Sequence, residues 1–155
     1  MERKNIKKIN SKELLRLSNL VLNRDKTLFD ELSRCSMRDK VLEESPDKHD
    51  LKGVRDEGSL YHTDYEIITT ISINEDSLTI AALCYQKFAT RHIFHEGNKR
   101  MAHMVAQIFL LNYRVVMKIN YNEAKEFILK IARGEKSLTE IKKWISKHVV
   151  DIENK

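Results

Sequence analysis

Proline occurs once and glycine four times in 155 residues, too few for a turn-rich all-β design, so a mainly helical chain is expected. The two cysteines, Cys35 and Cys84, share no spacing pattern. That leaves out a disulfide framework and a paired-cysteine zinc site, and fits a reducing cytoplasm. No apolar run approaches the length that crosses a bilayer, so no membrane partner is expected. The charged start, Met1 to Lys8, is followed by no apolar h-region, which argues against a secretory signal. Neither an aromatic-rich strand nor a finger spacing is present, which disfavours a nucleic-acid module. What the chain has in abundance is charge. Its 28 Lys and Arg outnumber 23 Asp and Glu for a net charge of +5, a balance that suits anionic partners.

The length fits one domain over residues 1–155, with a core from 11 to 149. Ser11 is read as the N-cap of a first helix whose buried stripe is Leu14, Leu17 and Val21, with Leu15 and Leu22 beside it. Leu28, Phe29 and Leu32 mark a second, shorter helix. Residues 43–59 are polar and hold Pro46 and two glycines, the pattern of a long loop or flap. Glu66 to Ile73 has strand propensity, although so short an apolar run has no decisive period. Ser77 is read as the cap of a helix carrying Ile80, Ala81, Leu83, Cys84 and Phe88. A broad stripe of Met101, Met104, Val105, Ile108 and Leu111, widened by Phe109 and Leu110, predicts a central buried helix over about Asn98 to Tyr113. Val115 to Ile119 reads as a short strand. Glu123 to Ala132 reads as a helix stopped by Gly134. Ser137-Leu138-Thr139-Glu140 is a capping box opening a last helix with Ile141, Trp144, Ile145 and Val149 facing in.

One stretch carries the chemistry: His92-Ile93-Phe94-His95-Glu96-Gly97-Asn98-Lys99-Arg100. Gly97 lacks a Cβ, so backbone N–H groups there can approach an anion closely. With Asn98 and Lys99 they sit where a helix begins, and a helix N-terminus offers unsatisfied donors and a positive dipole end. Arg100 adds a bidentate grip on phosphate. Glu96 would repel a bare phosphate and therefore reads as a ligand to a bridging Mg²⁺. His92 is the candidate general base for an attacking hydroxyl. Phe94 would point into the core and hold the loop. Taken singly, each residue has a plainer reading: a surface histidine, a carboxylate at a helix start, two solvated cations. Together they favour a nucleotide-using enzyme. Zinc is the rival, through His92, His95, His62 and His103, but the chain has no HExxH and this His-Glu pair runs into two cations.

His92-x-Phe94-x-Glu96-Gly97-Asn98-Lys99-Arg100 resembles the Fic/Doc signature, H-x-F-x-(D/E)-(G/A)-N-(G/K)-R. Lys99 is the form seen in the Doc (death-on-curing) branch. Gly53-Val54-Arg55-Asp56-Glu57-Gly58 is similar to the G-x-R-D stretch upstream in Doc proteins. The helix from Ala81 to His92 and the segments from Leu111 through Trp144 are similar too. The stretch from Asp25 to Asp50 is longer than a minimal Doc protein needs. The resemblance implies a compact all-α bundle around a central buried helix, with a small flap or short strand pair. It implies a cytoplasmic toxin of a toxin–antitoxin pair that uses ATP and Mg²⁺ to modify a hydroxyl on a protein. Doc-like proteins phosphorylate elongation factor Tu, whereas Fic relatives transfer AMP to Ser, Thr or Tyr. Carried over, His92 is the catalytic base, Glu96 the metal ligand, and Gly97, Asn98, Lys99 and Arg100 bind the nucleotide phosphates. AMP-transferring members usually carry a second Arg three residues after the first, where this chain has His103. Phosphoryl transfer is therefore the favoured branch, although Gly97 stands where the best-known Doc pattern has Ala. AMP transfer and a catalytically degenerate binding module are the alternatives.

Self-inhibiting Fic proteins carry (S/T)-x-x-x-E-(G/N). Here Glu57, Glu96 and Glu153 precede Gly or Asn, but the residues four before them are Gly53, His92 and Val149. None fits, so inhibition is expected from a separate antitoxin segment.

Overall fold

The computed structural model describes residues 10–35, 54–73, 76–94 and 97–152. They form seven helices and one pair of short strands, the all-α architecture expected. The Asp25–Asp50 region beyond Cys35 and the 43–59 loop as far as Gly53 lie outside the described residues.

Helices α1 (Ser11–Arg24) and α2 (Lys26–Cys35) meet at a corner on Asp25. The cap of α1 is Asn10 rather than Ser11, its side chain accepting from Glu13 N at 2.8 Å. Leu17 and Val21 are buried on α1, but Leu14, Leu15 and Leu22 are exposed. The expected stripe was too wide, because only the narrow face turned toward Phe29 and Ile108 is covered. Leu28, Phe29 and Leu32 of α2 are buried as expected.

Helix α3 (Glu57–Ile73) overturns two expectations. Residues 57–59 of the presumed loop are helical, and so is the strand-like run from Glu66 to Ile73. Asp56 starts the helix: its carboxylate accepts from Ser59 N at 3.0 Å and from Ser59 Oγ at 2.8 Å. Thr70 and Ser72 turn their hydroxyls back onto the carbonyls of Glu66 and Ile68. Thr63 and Ile67, one turn apart, are the residues that α3 buries. Packing along that face outweighs the β-propensity of the isoleucines and threonines.

Helix α4 (Ser77–Thr90) begins at Asp76, which caps Leu78 N at 3.1 Å and holds Thr79 Oγ1 at 2.8 Å. The expected cap, Ser77, is the first helical residue. From Ile80 to Tyr85 every residue of α4 is buried, as are Phe88 and Ala89. Helix α5 (Asn98–Asn112) was the expected centre, yet α4 is the more enclosed. It packs against α3, α5, α6 (Tyr121–Ala132) and α7 (Leu138–His148). The buried face of α5 is also rotated from the hydrophobic stripe. Ala102, His103, Ala106, Gln107, Ile108 and Leu110 are inside, while Met101, Met104, Val105, Phe109 and Leu111 are half-buried. The two alanines let the α4 backbone come close, and the larger apolar residues line the flanks.

Strand β1 (Val115–Met117) pairs antiparallel with β2 (Val149–Asp151), Val116 opposite Val150. Val149 therefore leaves the last helix for the strand pair. Helix α6 starts at Tyr121 under an Asn120 cap. It stops as expected: Gly134 sits at φ 75°, Gly134 N reaches Ile131 O at 2.9 Å and Glu135 N reaches Lys130 O at 3.0 Å. The Ser137–Glu140 capping box opens α7. Trp144, half-buried, stacks on Phe127 at 4.2 Å between centroids and meets Tyr85 edge-on.

Candidate active site

The signature begins where α4 ends. Arg91 closes α4, its N–H bonded to Lys87 O, and His92 follows at φ 51°. That left-handed backbone is uncommon for a residue with a Cβ, though histidine is enriched there. It turns the chain sharply and leaves the His92 side chain exposed. Ile93 then drives into the core, fully buried, and Phe94 stacks on Phe88 at 6.4 Å between centroids. Phe94 was the expected anchor. Ile93 carries that role further.

Asn98 closes the loop. Its Oδ1 accepts from Phe94 N at 3.0 Å and its Nδ2 donates to Phe94 O at 2.9 Å. The side chain expected on a phosphate is thus committed to the loop backbone, and what Asn98 retains for an anion is its own N–H. Gly97 precedes α5 at φ 78° and provides no side-chain cap. The first turn of α5 therefore begins without a side-chain capping acceptor among the described residues. Arg100 folds back over this point, so that a methyl group at Gly97 would stand 3.1 Å from Arg100 Nη2. Arg100 Nε is buried and has no hydrogen-bond partner among the described residues. Lys99 is half-buried at the same turn. A left-handed glycine, uncapped helix donors and an orphaned guanidinium N–H fit the phosphates of a nucleotide. Glu96 and His95 lie outside the described residues, so the metal-ligand expectation for Glu96 has no geometry to set beside it.

The segment similar to G-x-R-D docks on this loop through its backbone. Arg55 N and Asp56 N both donate to Ile93 O, at 2.7 and 3.1 Å, and Val54 forms an antiparallel bridge with Phe94. Sequence reasoning missed a second tie. Arg91 donates from Nη1 to Thr63 Oγ1 at 2.8 Å and from Nη2 to Glu66 Oε1 at 2.7 Å. Glu66 also meets His62 at 2.7 Å and Lys87 at 3.8 Å. Burial pushes the Glu66 carboxyl up, but the hydrogen bond from Arg91 and the surrounding cations hold it below the usual carboxylate range. Nothing in the sequence marks Arg91 or Glu66 except their charge.

His103 lies elsewhere. It is fully buried, with Nε2 2.7 Å from Asp25 Oδ2 and Nδ1 2.6 Å from Tyr85 OH. Gln107 donates to Tyr85 OH at 3.0 Å and accepts from Arg24 at 2.8 Å, while Arg24 grips Asp25 with two bonds. The five side chains close a ring inside the molecule. Burial pushes His103 below the ordinary imidazole value, against the pull of Asp25. Burial would raise Asp25, but the hydrogen bonds and charges of His103 and Arg24 prevail and bring it to about 2. Of the imidazoles in the zinc reading, His62 lies on α3, His103 in the core and His92 on the loop, while His95 lies outside the described residues. No group of three metal-binding side chains occurs among the described residues. Cys84 is buried, and burial raises its thiol far above a reactive range.

No helix among the described residues is long and apolar enough to cross a membrane. No curated protein matches the chain. Residues 29–110, from α2 to the middle of α5's last turns, match the Fic/DOC family. That match spans more than half of the chain and contains the whole signature loop, so this protein belongs to the Fic/DOC family.

Proposed function

We propose that this protein is a Doc-like toxin that transfers the γ-phosphoryl group of ATP to a hydroxyl of a protein of the translation machinery such as elongation factor Tu. The family is one of transferases that act on proteins, using ATP and typically a metal. The observation that carries the reading is the orphaned Arg100 Nε held over left-handed Gly97 at the open start of α5. ATP would supply the transferable group, and Mg²⁺ would offset its charge. Gly97, Asn98 and Lys99 would offer N–H groups and charge to the phosphates, Arg100 would clamp them, and Glu96 would hold the metal. His92, exposed beside them, takes the proton that the target hydroxyl gives up. Phosphoryl rather than AMP transfer is supported by position 103. Its imidazole is enclosed between Asp25 and Tyr85 and cannot serve as a second clamp on the γ-phosphate. Inhibition comes from a separate antitoxin, in a cytoplasmic setting.

The test is a lysate competent for translation, given Mg²⁺ and ATP labelled at either the α- or the γ-phosphate. Label should pass from the γ-position to one protein, and a His92→Ala protein should leave it blank. Label from the α-position would replace this reading with AMP transfer. Label from neither would point to a binding module.

A further inference from the structure

We infer that α3 is the positioning element for His92, with Glu66 acting through Arg91 as its principal positioning residue. The inference rests on the reading of His92 as the base. No hydrogen bond holds the His92 ring among the described residues, so its placement depends on the backbone. That backbone sits in the left-handed region at φ 51°, a conformation that persists only where the flanks over-determine it.

Both flanks are held by α3 and the two residues that lead into it. On the N-terminal side, the Arg91 guanidinium is forked between Thr63 and Glu66 at 2.8 and 2.7 Å. Thr63 is fully buried, and Arg91 and Glu66 are each about three-quarters covered. A bidentate, half-buried fork of this kind fixes direction as well as distance. It is a different object from an exposed ion pair, which is worth little. On the C-terminal side, the buried Ile93 gives its carbonyl to the N–H groups of Arg55 and Asp56 at the start of α3. One continuous segment, Arg55 to Glu66, therefore grips residues 91 and 93 on either side of His92. The three basic side chains around Glu66, namely His62, Lys87 and Arg91, serve geometry at the loop rather than the attachment of α3 alone, because the fork closes on the residue next to the base.

Glu66→Gln and Arg91→Lys separate this from a purely structural role. The first keeps the shape of the carboxylate without its charge, and the second reaches one partner but not both. The readouts are ¹⁵N relaxation at the His92 amide, the imidazole ¹³C–¹H resonance, thermal melting, and kcat and KM for ATP in γ-label transfer. Both variants should loosen His92 and lower kcat by roughly ten- to a hundredfold, the effect of a small misplacement of a reacting group, while KM stays put and melting falls by only about 2–4 °C, leaving the protein folded at the assay temperature. His92 as ordered in either folded variant as in the parent would overturn the inference, and so would a kcat loss that merely tracks melting. If the parent transfers no label at all, the reading of His92 as base fails, while the relaxation data still decide whether α3 holds it.

Discussion

The His92 side chain is exposed and touches no partner among the described residues, so removing it should cost chemistry and not stability. His92→Ala is expected to lower γ-label transfer by about 10²–10⁴-fold with an unchanged melting curve. Arg100 differs, because its Nε is buried without a hydrogen-bond partner among the described residues and is free to take an acceptor from a ligand. Arg100→Ala should cost ~2–4 kcal/mol of transition-state stabilisation, read as kcat/KM for ATP. Arg100→Lys should not restore it, since a lysine has neither the fork nor a donor at the Nε position. Recovery of transfer by lysine would reduce Arg100 to a point charge.

At the scale of elements, the loop between α4 and α5 is closed by one side chain. Asn98 bonds both backbone groups of Phe94, so residues 94 and 98 form a ring that sets where α5 begins. Asn98→Ala should lower stability by about 1–2 kcal/mol, the worth of two part-buried hydrogen bonds, measured by urea unfolding. It should also weaken ATP use although the native side chain is not aimed at a ligand. Stability equal to that of the parent would show that the ring does not order the loop. Local signals of this kind were legible before any fold was known: the Gly134 stop and the Ser137–Glu140 box act within a few residues of themselves. Helix α3 was not legible, because its isoleucines and threonines favour a strand in isolation and only packing on α4 makes them helical.

At the scale of the molecule, the Arg24–Asp25–His103–Tyr85–Gln107 ring joins the α1–α2 corner to α4 and α5. His103→Leu would deprive Tyr85 of its acceptor and Asp25 of a donor, and should destabilise the protein by about 2–4 kcal/mol. The ring also sets an acid response. Asp25 is depressed to about 2 in the folded chain, so its contribution is present above the ordinary carboxylate value and is lost as pH falls through about 2. His103 is likewise depressed, so below the ordinary imidazole value the unfolded chain takes up a proton that the folded chain declines. Stability should therefore begin to fall below roughly pH 6.5, well before carboxylates titrate. Urea midpoints from pH 8 to 5 should show the gap between parent and His103→Leu narrowing as pH drops. A constant gap would mean that His103 is not held neutral.

By itself the sequence determined the helical class, the stop at Gly134, the capping box at Ser137–Glu140 and the family signature, because caps, stops and motif spacing act over a few positions. It placed Gly97 and Arg100 at the head of a helix without knowing the helix's neighbours. Only the tertiary structure decided which face of α5 is buried and that α4 is the centre. It alone enclosed His103 between Asp25 and Tyr85 and joined Arg91 to Thr63 and Glu66. Those outcomes depend on groups far apart in the chain, His103 and Asp25 being 78 residues apart. Such partners are chosen by mutual burial of polar groups that must be satisfied inside the protein, and no local pattern in the sequence announces them.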